Sequence, residues 1–537
     1  MRIARFARPA RLLLCLGTGA ALALAFPSFN HADAAWFLLV PLLVLLRFST
    51  PREGFRYGFV FGVGFWLVSI FWLMELRNNG GPVALVAFGL IGLSAWCSLF
   101  VAFFGMATSF LWQGGDSTAS GWRRNLFEVV RAPSVALLWC GAEYLRSTLL
   151  TGFAWNALGV SQAGVLPIAQ AASLGGVYAV SFVVVLVNAG VAGAGVRIWR
   201  SVRGVPHVTR RHFDLMLALL VLMTLMVWGA KRVQRLRLEE ARAETVIIGA
   251  VDPSLPCIFE SNDAEWRTSY RLLSESTQQL SMTHPDLIVW PETVLYTMMP
   301  DERLEDEMLA FVEELGAPIL AGGTEEVLDS AGVFHIFNSS FLFGATGVVE
   351  SVYRKQHLVP FGEFIPFDKA FPFLQRFAPA GISCSPGKGP VVMVIADGRT
   401  RVSPLICFED TVAGLSRDAV KAGAQILIAQ SNDAWFYGSA EAEQHHAQAI
   451  FRTIENGVPL VRSSNRGVTA VVSSFGESTE NANYFSQHVP LVARPGHTVY
   501  AKAGDWLFGI PSALFLCGLL GVLAGKRVRQ GAEMQDH

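Results

Sequence analysis

Three side chains of different chemistry each stand at the end of a strand-like run. Cys407 follows the apolar stretch Arg401–Ile406 and precedes a helix-like pattern, within Leu405-Ile406-Cys407-Phe408-Glu409-Asp410. Glu292 closes Val289-Trp290-Pro291-Glu292, and Lys355 lies in Tyr353-Arg354-Lys355-Gln356-His357. A thiol, a carboxylate and an ammonium are the groups that acyl transfer through a thioester needs. Sulfur attacks the carbonyl carbon, the carboxylate moves protons, and the cation faces the oxyanion. A strand-to-helix turn should aim helix N–H groups at Cys407 and lower its pKa. Glu292, just past Pro291, should be partly desolvated, with its pKa raised toward that of a useful base. Taken singly, each residue has a plainer reading: a packed strand cysteine, a loop glutamate, a solvated lysine. Their shared setting at strand ends of one domain favours chemistry.

Other polar groups sit in apolar company. Glu363 lies in Pro360-Phe361-Gly362-Glu363-Phe364, and Ser431-Asn432-Asp433-Ala434-Trp435-Phe436 offers Trp435 and Phe436 as exposed loop aromatics. Gln444, His445 and His446 open a helix, but adjacent positions on a helix point in different directions, so no metal site is expected.

The elements that must position these groups are legible from 244 to 500. Strand-like runs include Thr245–Ala250, Leu287–Trp290, Pro318–Ala321, Ser339–Phe343, Val391–Ile395, Arg401–Ile406, Ile426–Ala429, Leu460–Ser463 and Thr469–Ser473. Helical patterns lie between them at Ala264–Met282, Glu302–Leu315, Thr411–Ala422 and Glu441–Asn456. Alternation of this kind predicts a layered α/β domain.

The rest of the chain is apolar. Of 537 residues, 52% are hydrophobic and only 16% charged. A bilayer core needs about 20 apolar residues in a helix. Residues 1–230 supply about seven such segments (10–28, 35–48, 57–75, 83–112, 134–150, 172–196 and 213–230), and 506–525 an eighth. The first follows Arg2, Arg5, Arg8 and Arg11 and is read as a retained span rather than a cleaved signal. Cations recur after even numbers of spans, as in Arg47, Arg52 and Arg56, so both termini should be cytoplasmic and 244–500 should lie outside. Glu143 and Arg146, near the end of the fifth span, are ionisable groups at membrane depth and so functional candidates, Glu143 as a substrate-binding or supporting residue, with pairing near the outer interface as the plainer reading. The formal net charge of −1 argues against nucleic acid as a partner. Seven cysteines without a C-x-x-C pair support neither a zinc ribbon nor a disulfide framework.

With these residues in hand, the chain resembles the apolipoprotein N-acyltransferase family over nearly its whole length. The resemblance runs through Glu143-Tyr144-Leu145-Arg146 and Thr151-Gly152-Phe153-Ala154-Trp155. It continues through Trp290-Pro291-Glu292, Lys355-Gln356-His357-Leu358-Val359-Pro360-Phe361-Gly362-Glu363, Ser385-Pro386-Gly387, Ile406-Cys407-Phe408-Glu409 and Asn432-Asp433-Ala434-Trp435-Phe436 with Gln444-His445. It implies a multi-pass helical membrane domain joined to a periplasmic nitrilase-like αββα sandwich. It also implies Glu292 as general base, Lys355 as oxyanion stabiliser and Cys407 as nucleophile. Glu363, Glu409 and Phe408 would support the site, and Trp435 would belong to a mobile substrate-contacting loop. The reaction implied is ping-pong. A phospholipid such as phosphatidylethanolamine acylates Cys407, and the α-amine of a diacylglyceryl-cysteine on a lipoprotein takes the acyl group, in a bacterial inner membrane. No metal or organic cofactor is implied. Departures from the family pattern occur at Val251-Asp252-Pro253-Ser254, at Phe408 where tyrosine is common, at Glu441-Ala442-Glu443-Gln444-His445 and at Phe451-Arg452-Thr453. A membrane-tethered amidase, and a non-catalytic lipid-binding scaffold, remain as alternatives.

Overall fold

The computed structural model describes residues 8–113, 122–205, 211–256, 263–299, 302–330, 332–366, 383–481 and 483–533. Cys257 and the cationic Arg2, Arg5 and Arg210 lie outside them. The chain divides into two compact units. One comprises Met1–Met74, Pro82–Val233 and Ala503–His537; the other comprises Glu75–Gly81 and Gln234–Lys502.

The first unit is helical. Among the described residues, five segments are long and apolar enough to cross a membrane: Arg8–Ala25, Val83–Gln113, Val177–Val202, Phe213–Glu240 and Val499–Lys526. A bent pair, Pro51–Ser69 with Phe71–Asn79, makes a sixth if it forms one span. Two of the eight expected segments fall outside this class. The segment at 35–48 contains an α-helix of only seven residues, Val40–Leu46. The helix Trp122–Thr148 is long enough but has Pro133 inside it and buries Arg131, Glu143 and Arg146. Small residues let helices approach closely here. A Cβ on Gly58 would stand 2.3 Å from the Val101 carbonyl oxygen.

The second unit is a sandwich of two sheets. Its strands are β1 (Thr245–Val251), β2 (Leu287–Val289), β3 (Leu295–Met299), β4 (Ile319–Leu328), β5 (Phe334–Phe343), β6 (Val349–Arg354), β7 (Met393–Ile395), β8 (Thr400–Ile406), β9 (Ile426–Asn432), β10 (Leu460–Asn465), β11 (Thr469–Val472), β12 (Ser478–Asn481) and β13 (Tyr484–Pro490). The first sheet has the order β13-β1-β2-β4-β5-β6, with β3 beside β4; the second runs β12-β11-β10-β9-β8-β7. In each sheet the central strands are parallel, β1-β2-β4 in one and β8-β9-β10 in the other. Strands buried on both faces need near-continuous apolar sequence, and Leu287-Ile288-Val289 and Ile426-Leu427-Ile428 supply it. Side chains alternate across the pleat. Leu287 and Val289 therefore join the core between the sheets with Ile406, Ile428 and Val461. Ile288 points the other way, toward Leu273 and Leu280 of the helix Asp263–Ser281 and Met308 and Val312 of the helix Glu302–Leu315. The helices Ala413–Lys421 and Glu441–Asn456 cross over between the parallel strands of the second sheet. The architecture is the αββα layering that the sequence led us to expect.

Buried polar ties register one sheet on the other. Gln430 donates to the Trp290 carbonyl at 2.7 Å, and the Ser463 hydroxyl donates to the Val289 carbonyl at 3.1 Å. A buried amide without a partner is costly, so these bonds penalise sliding of the sheets.

Candidate active site

Glu292 and Lys355 come from the first sheet and Cys407 from the second. β2 ends at Val289, and the next residue, Trp290, is fully buried with its indole N–H on Thr277 at 2.8 Å. That anchor fixes where the chain turns, and Pro291 and Glu292 follow. The turn presses against β4. A Cβ on Gly322 would lie 2.4 Å from the Pro291 carbonyl oxygen and 2.7 Å from the Glu292 Cα, so only glycine fits there. Glu292 is buried. Its Oε1 accepts from Asn338 Nδ2 at 2.8 Å and Lys355 Nζ at 3.1 Å, and its Oε2 accepts from the Asn432 backbone N–H at 3.1 Å. The last bond crosses from the second sheet at the end of β9.

Lys355 is the first residue past β6, and its backbone N–H donates to the Asn338 carbonyl at 2.8 Å. Its ammonium, 1% exposed, lies 2.9 Å from Glu363 Oε1 as well as against Glu292. Burial opposes the charge, but Glu292 and Glu363 hold the pKa well above the ordinary lysine value. An ammonium has three protons, and two have these carboxylate partners. Asn338 Nδ2 also reaches Glu363 Oε1 at 2.7 Å, and the Val359 N–H donates to Glu363 Oε2 at 2.8 Å. Glu363 thus supports Lys355 by direct contact.

Cys407 stands between β8 and a 3₁₀ turn, Cys407–Thr411, with φ at +53°. This left-handed conformation is strained for a residue with a Cβ and occurs where the surroundings enforce it. Glu409 is one such enforcer. Buried, it accepts from the backbone N–H groups of Ile406 (2.8 Å), Gln356 (2.6 Å) and His357 (3.1 Å), and from the Tyr353 hydroxyl (2.8 Å). It therefore ties the cysteine turn to the segment carrying Lys355. Phe408 stacks on His357 with ring centroids 5.7 Å apart. Lys355 and Glu292 are both close enough to act electrostatically on the thiol.

The expected lowering of the thiol pKa is overturned. Burial pushes Cys407 up and Glu292 adds to the rise, outweighing the opposing pull of Lys355 and His445. The physical reason lies in the turn. The α-helix after it begins only at Ala413, so no long-helix N-terminus reaches the sulfur. The resting group is a thiol, and its attack must be coupled to proton transfer.

Trp435 lies in a 3₁₀ turn, Asp433–Phe436, directly after β9. It and Phe436 are half-buried rather than exposed; Tyr437 is the exposed aromatic, at 64%. The Trp435 carbonyl accepts from Asn79 Nδ2 at 2.6 Å, so Glu75–Gly81 helps hold this turn. Glu143 belongs to the helical unit. There its Oε1 accepts from Trp139 Nε1 and the Leu158 N–H at 2.8 and 2.6 Å. Arg146 donates to the Phe153 and Trp155 carbonyls and stacks on Trp66. The two ions are close enough to act on each other electrostatically, while their hydrogen bonds go to backbone and aromatic groups.

Sequence reasoning missed Asn338, Asp433 and Arg462. Asn338 and Arg462 lie within strands, and Asp433 directly follows one; a polar residue in or beside a buried strand was the available signal. Asp433, Glu441 and His445 are close enough together to share a cation. The Arg462 guanidinium lies 3.1 Å from Asp433 Oδ2 and 3.0 Å from His445 Nδ1, so that position already faces a fixed positive charge.

The layering and the Glu–Lys–Cys convergence define a carbon–nitrogen hydrolase type of domain carried on membrane-type helices. Comparison with known proteins agrees for both parts. Residues 18–190 match the apolipoprotein N-acyltransferase N-terminal domain, and residues 264–489 match carbon-nitrogen hydrolase. Apolipoprotein N-acyltransferase of Geobacter metallireducens is 31% identical, over 92% of this chain and 91% of that one. Those of Agrobacterium fabrum and Gloeobacter violaceus are each 29% identical, over 88% of both chains and over 96% and 94%. The chain belongs to the apolipoprotein N-acyltransferase family. An amidase from Nesterenkonia sp. superposes on 47% of this chain and 94% of its own, at 15% identity and a TM-score of 0.36, too loosely to bear on the site.

Proposed function

We propose that this membrane protein moves a fatty acyl group from a phospholipid, phosphatidylethanolamine being the expected donor, to the free α-amine of a diacylglyceryl-cysteine at a lipoprotein N-terminus. The observation that carries this reading is the convergence of Glu292, Lys355 and Cys407 from two sheets, in a chain with long apolar helices. In the first half-reaction Glu292 takes the thiol proton as sulfur attacks the ester carbonyl carbon. The oxyanion faces the Lys355 ammonium. Collapse of the tetrahedral adduct breaks the C–O bond, and the glycerol oxygen leaves with the proton from Glu292. In the second half-reaction the amine nitrogen attacks the thioester, Glu292 accepts its proton, and the C–S bond breaks to regenerate the thiol. A thioester suits this relay because it is reactive toward amines. The residues present supply every proton transfer.

The cation pattern supports a cytoplasmic-membrane location with both termini inside and the catalytic unit in the periplasm. An assay with the full-length protein in detergent, a fluorescent acyl-labelled phospholipid and a diacylglyceryl-cysteine peptide tests the reading. Labelled peptide should form with the parent and not with Cys407→Ala. Free fatty acid or small-amide hydrolysis without labelled peptide would instead indicate transfer to water. Absence of product from the parent would leave the scaffold reading.

A further inference from the structure

Behind the nucleophile lies a second buried cluster that the mechanism above does not use. Asp410, three residues past Cys407 in the same 3₁₀ turn, is fully buried. Its Oδ1 lies 2.8 Å from His445 Nε2, and its Oδ2 accepts from Arg462 Nη1. The same His445 nitrogen is 3.3 Å from the Cys407 carbonyl oxygen. On its other side His445 Nδ1 faces Asp433 Oδ1 at 3.3 Å and Glu441 Oε1 at 3.5 Å, while Arg462 Nη2 reaches Asp433 Oδ2 at 3.1 Å. Ser464 donates to that oxygen at 2.8 Å.

We infer that His445 and Arg462 are positioning residues: together they clamp the Cys407 turn to the Asn432–Phe436 segment, and so set the nucleophile relative to the base. The path is short at both ends. Asp410 and the Cys407 carbonyl are the grip on the nucleophile. Asp433 is the grip on the other side, and its neighbour Asn432 donates its N–H to Glu292 Oε2. Neither cation belongs to the reacting set, so the role is geometric. Cys407 needs such a clamp because its backbone conformation is one that L side chains rarely adopt. Glu409 restrains the turn from the Lys355 side, and His445 and Arg462 restrain it from the other. Apolar residues could fill the same space, but they would not fix direction as hydrogen-bonded ions do. Burial disfavours charge on His445, yet the facing Asp410 and Asp433 keep its pKa well above the ordinary imidazole value despite Arg462. Its Nε2 faces Asp410 and the Cys407 carbonyl, and its Nδ1 lies between Asp433 Oδ1 and Arg462 Nη2, the latter 3.0 Å away.

The inference rests on Cys407 being the nucleophile and is independent of donor or acceptor identity. The test compares His445→Gln, whose amide can replace the Nε2–H donor, with His445→Asn, whose shorter amide cannot. Both lose the charge, so their difference isolates the bond. The full-length protein is assayed for Cys407 alkylation by iodoacetamide, for Cys407 acylation rate against phospholipid concentration, and for thermal midpoint. His445→Asn should lose roughly tenfold or more in both rates, with half-saturating lipid unchanged, since small misplacements cost rate rather than binding. His445→Gln should recover at least about a third of the parent rate, with the same thermal midpoint as His445→Asn. Equal rates for the two variants, at whatever level, would overturn the proposal. Should either fail to fold, Arg462→Lys serves: it keeps the charge but offers one nitrogen in place of the Nη1 and Nη2 that reach Asp410 and Asp433 separately. Parent-like alkylation in that variant would overturn the clamp. Failure of acylation in the parent, with the alkylation differences intact, would count against the proposed function and not against the clamp.

Discussion

The cluster around Lys355 and the cluster around Arg462 share one catalytic unit, are both buried, and differ in what their cations face. Lys355 has two carboxylate partners and a third ammonium proton, beside a half-buried thiol. Asp410 and Asp433 are matched instead by two cations, and their pKa values are held below the ordinary carboxylate value: burial would raise them, but His445 and Arg462 prevail. A spare proton-bearing group next to a nucleophile is what a changing charge needs. Carboxylates held by facing cations are what a rigid strut needs. Burial alone would not have separated the two; what each cation faces does.

The largest effect should come from the first cluster. Glu292→Gln keeps the size of the side chain and removes the base, so acyl transfer should fall by roughly 10²–10⁴-fold, while the thermal midpoint stays near that of the parent. Single-turnover acylation and a melting curve check this. Loss of stability in place of rate would make Glu292 a strut as well. The second cluster should behave in the opposite way. Arg462→Met leaves Asp410 and Asp433 buried without their shared cation and should cost about 3–5 kcal/mol of stability, read from denaturant unfolding of the full chain. A loss under about 1 kcal/mol would erase the contrast. Gly322→Ala sharpens it from another direction. The new Cβ must displace Pro291 and Glu292, so transfer and Cys407 alkylation should both drop by roughly ten- to a hundredfold, while stability should fall less than in Arg462→Met.

The smallest effect is a pH dependence. His446 is buried, with its Nε2 2.8 Å from the Ser478 hydroxyl, and burial pushes its pKa down from 6.5 to about 3. An unfolded imidazole takes up a proton as pH falls through 6.5, and the folded ring does not until about 3. His446 therefore costs no stability above pH 6.5 and progressively more as pH falls toward 3. Unfolding midpoints measured from pH 7 to 4 should decline more steeply in the parent than in His446→Gln. Equal slopes would mean the ring charges in the native state.

Much of this was legible before any coordinates. The helices Glu302–Leu315 and Glu441–Asn456 have the bounds their apolar spacing suggests. Glu292 and Cys407 stand out in the sequence because each follows an apolar run, whereas Lys355 follows the mixed strand Val349–Arg354 and is marked only by its place at the strand end. β4 and β5 run longer than expected because their outer halves, residues 324–328 and 334–338, pair with each other although their polar residues hide the pattern. The thiol pKa was misjudged because sequence could not show that a 3₁₀ turn, and not an α-helix, follows Cys407. The Arg462 cluster was invisible for a different reason. Its members are 23, 12 and 17 residues apart in sequence, from Asp410 to Asp433 to His445 to Arg462, and only the parallel pairing of β8, β9 and β10 brings them together. Helix geometry speaks against a metal shared by His445 and His446; the structure instead groups His445 with Asp433 and Glu441, beside Arg462.

The most direct test of the central claim is the intact mass of the full-length protein after incubation with a single defined phospholipid and no acceptor. The account predicts one adduct, equal to the fatty acid less water, located on Cys407 by peptide mapping, absent in Cys407→Ser, and discharged when a diacylglyceryl-cysteine peptide is added. No adduct, an adduct on a different residue, or an adduct that the peptide leaves in place would contradict it.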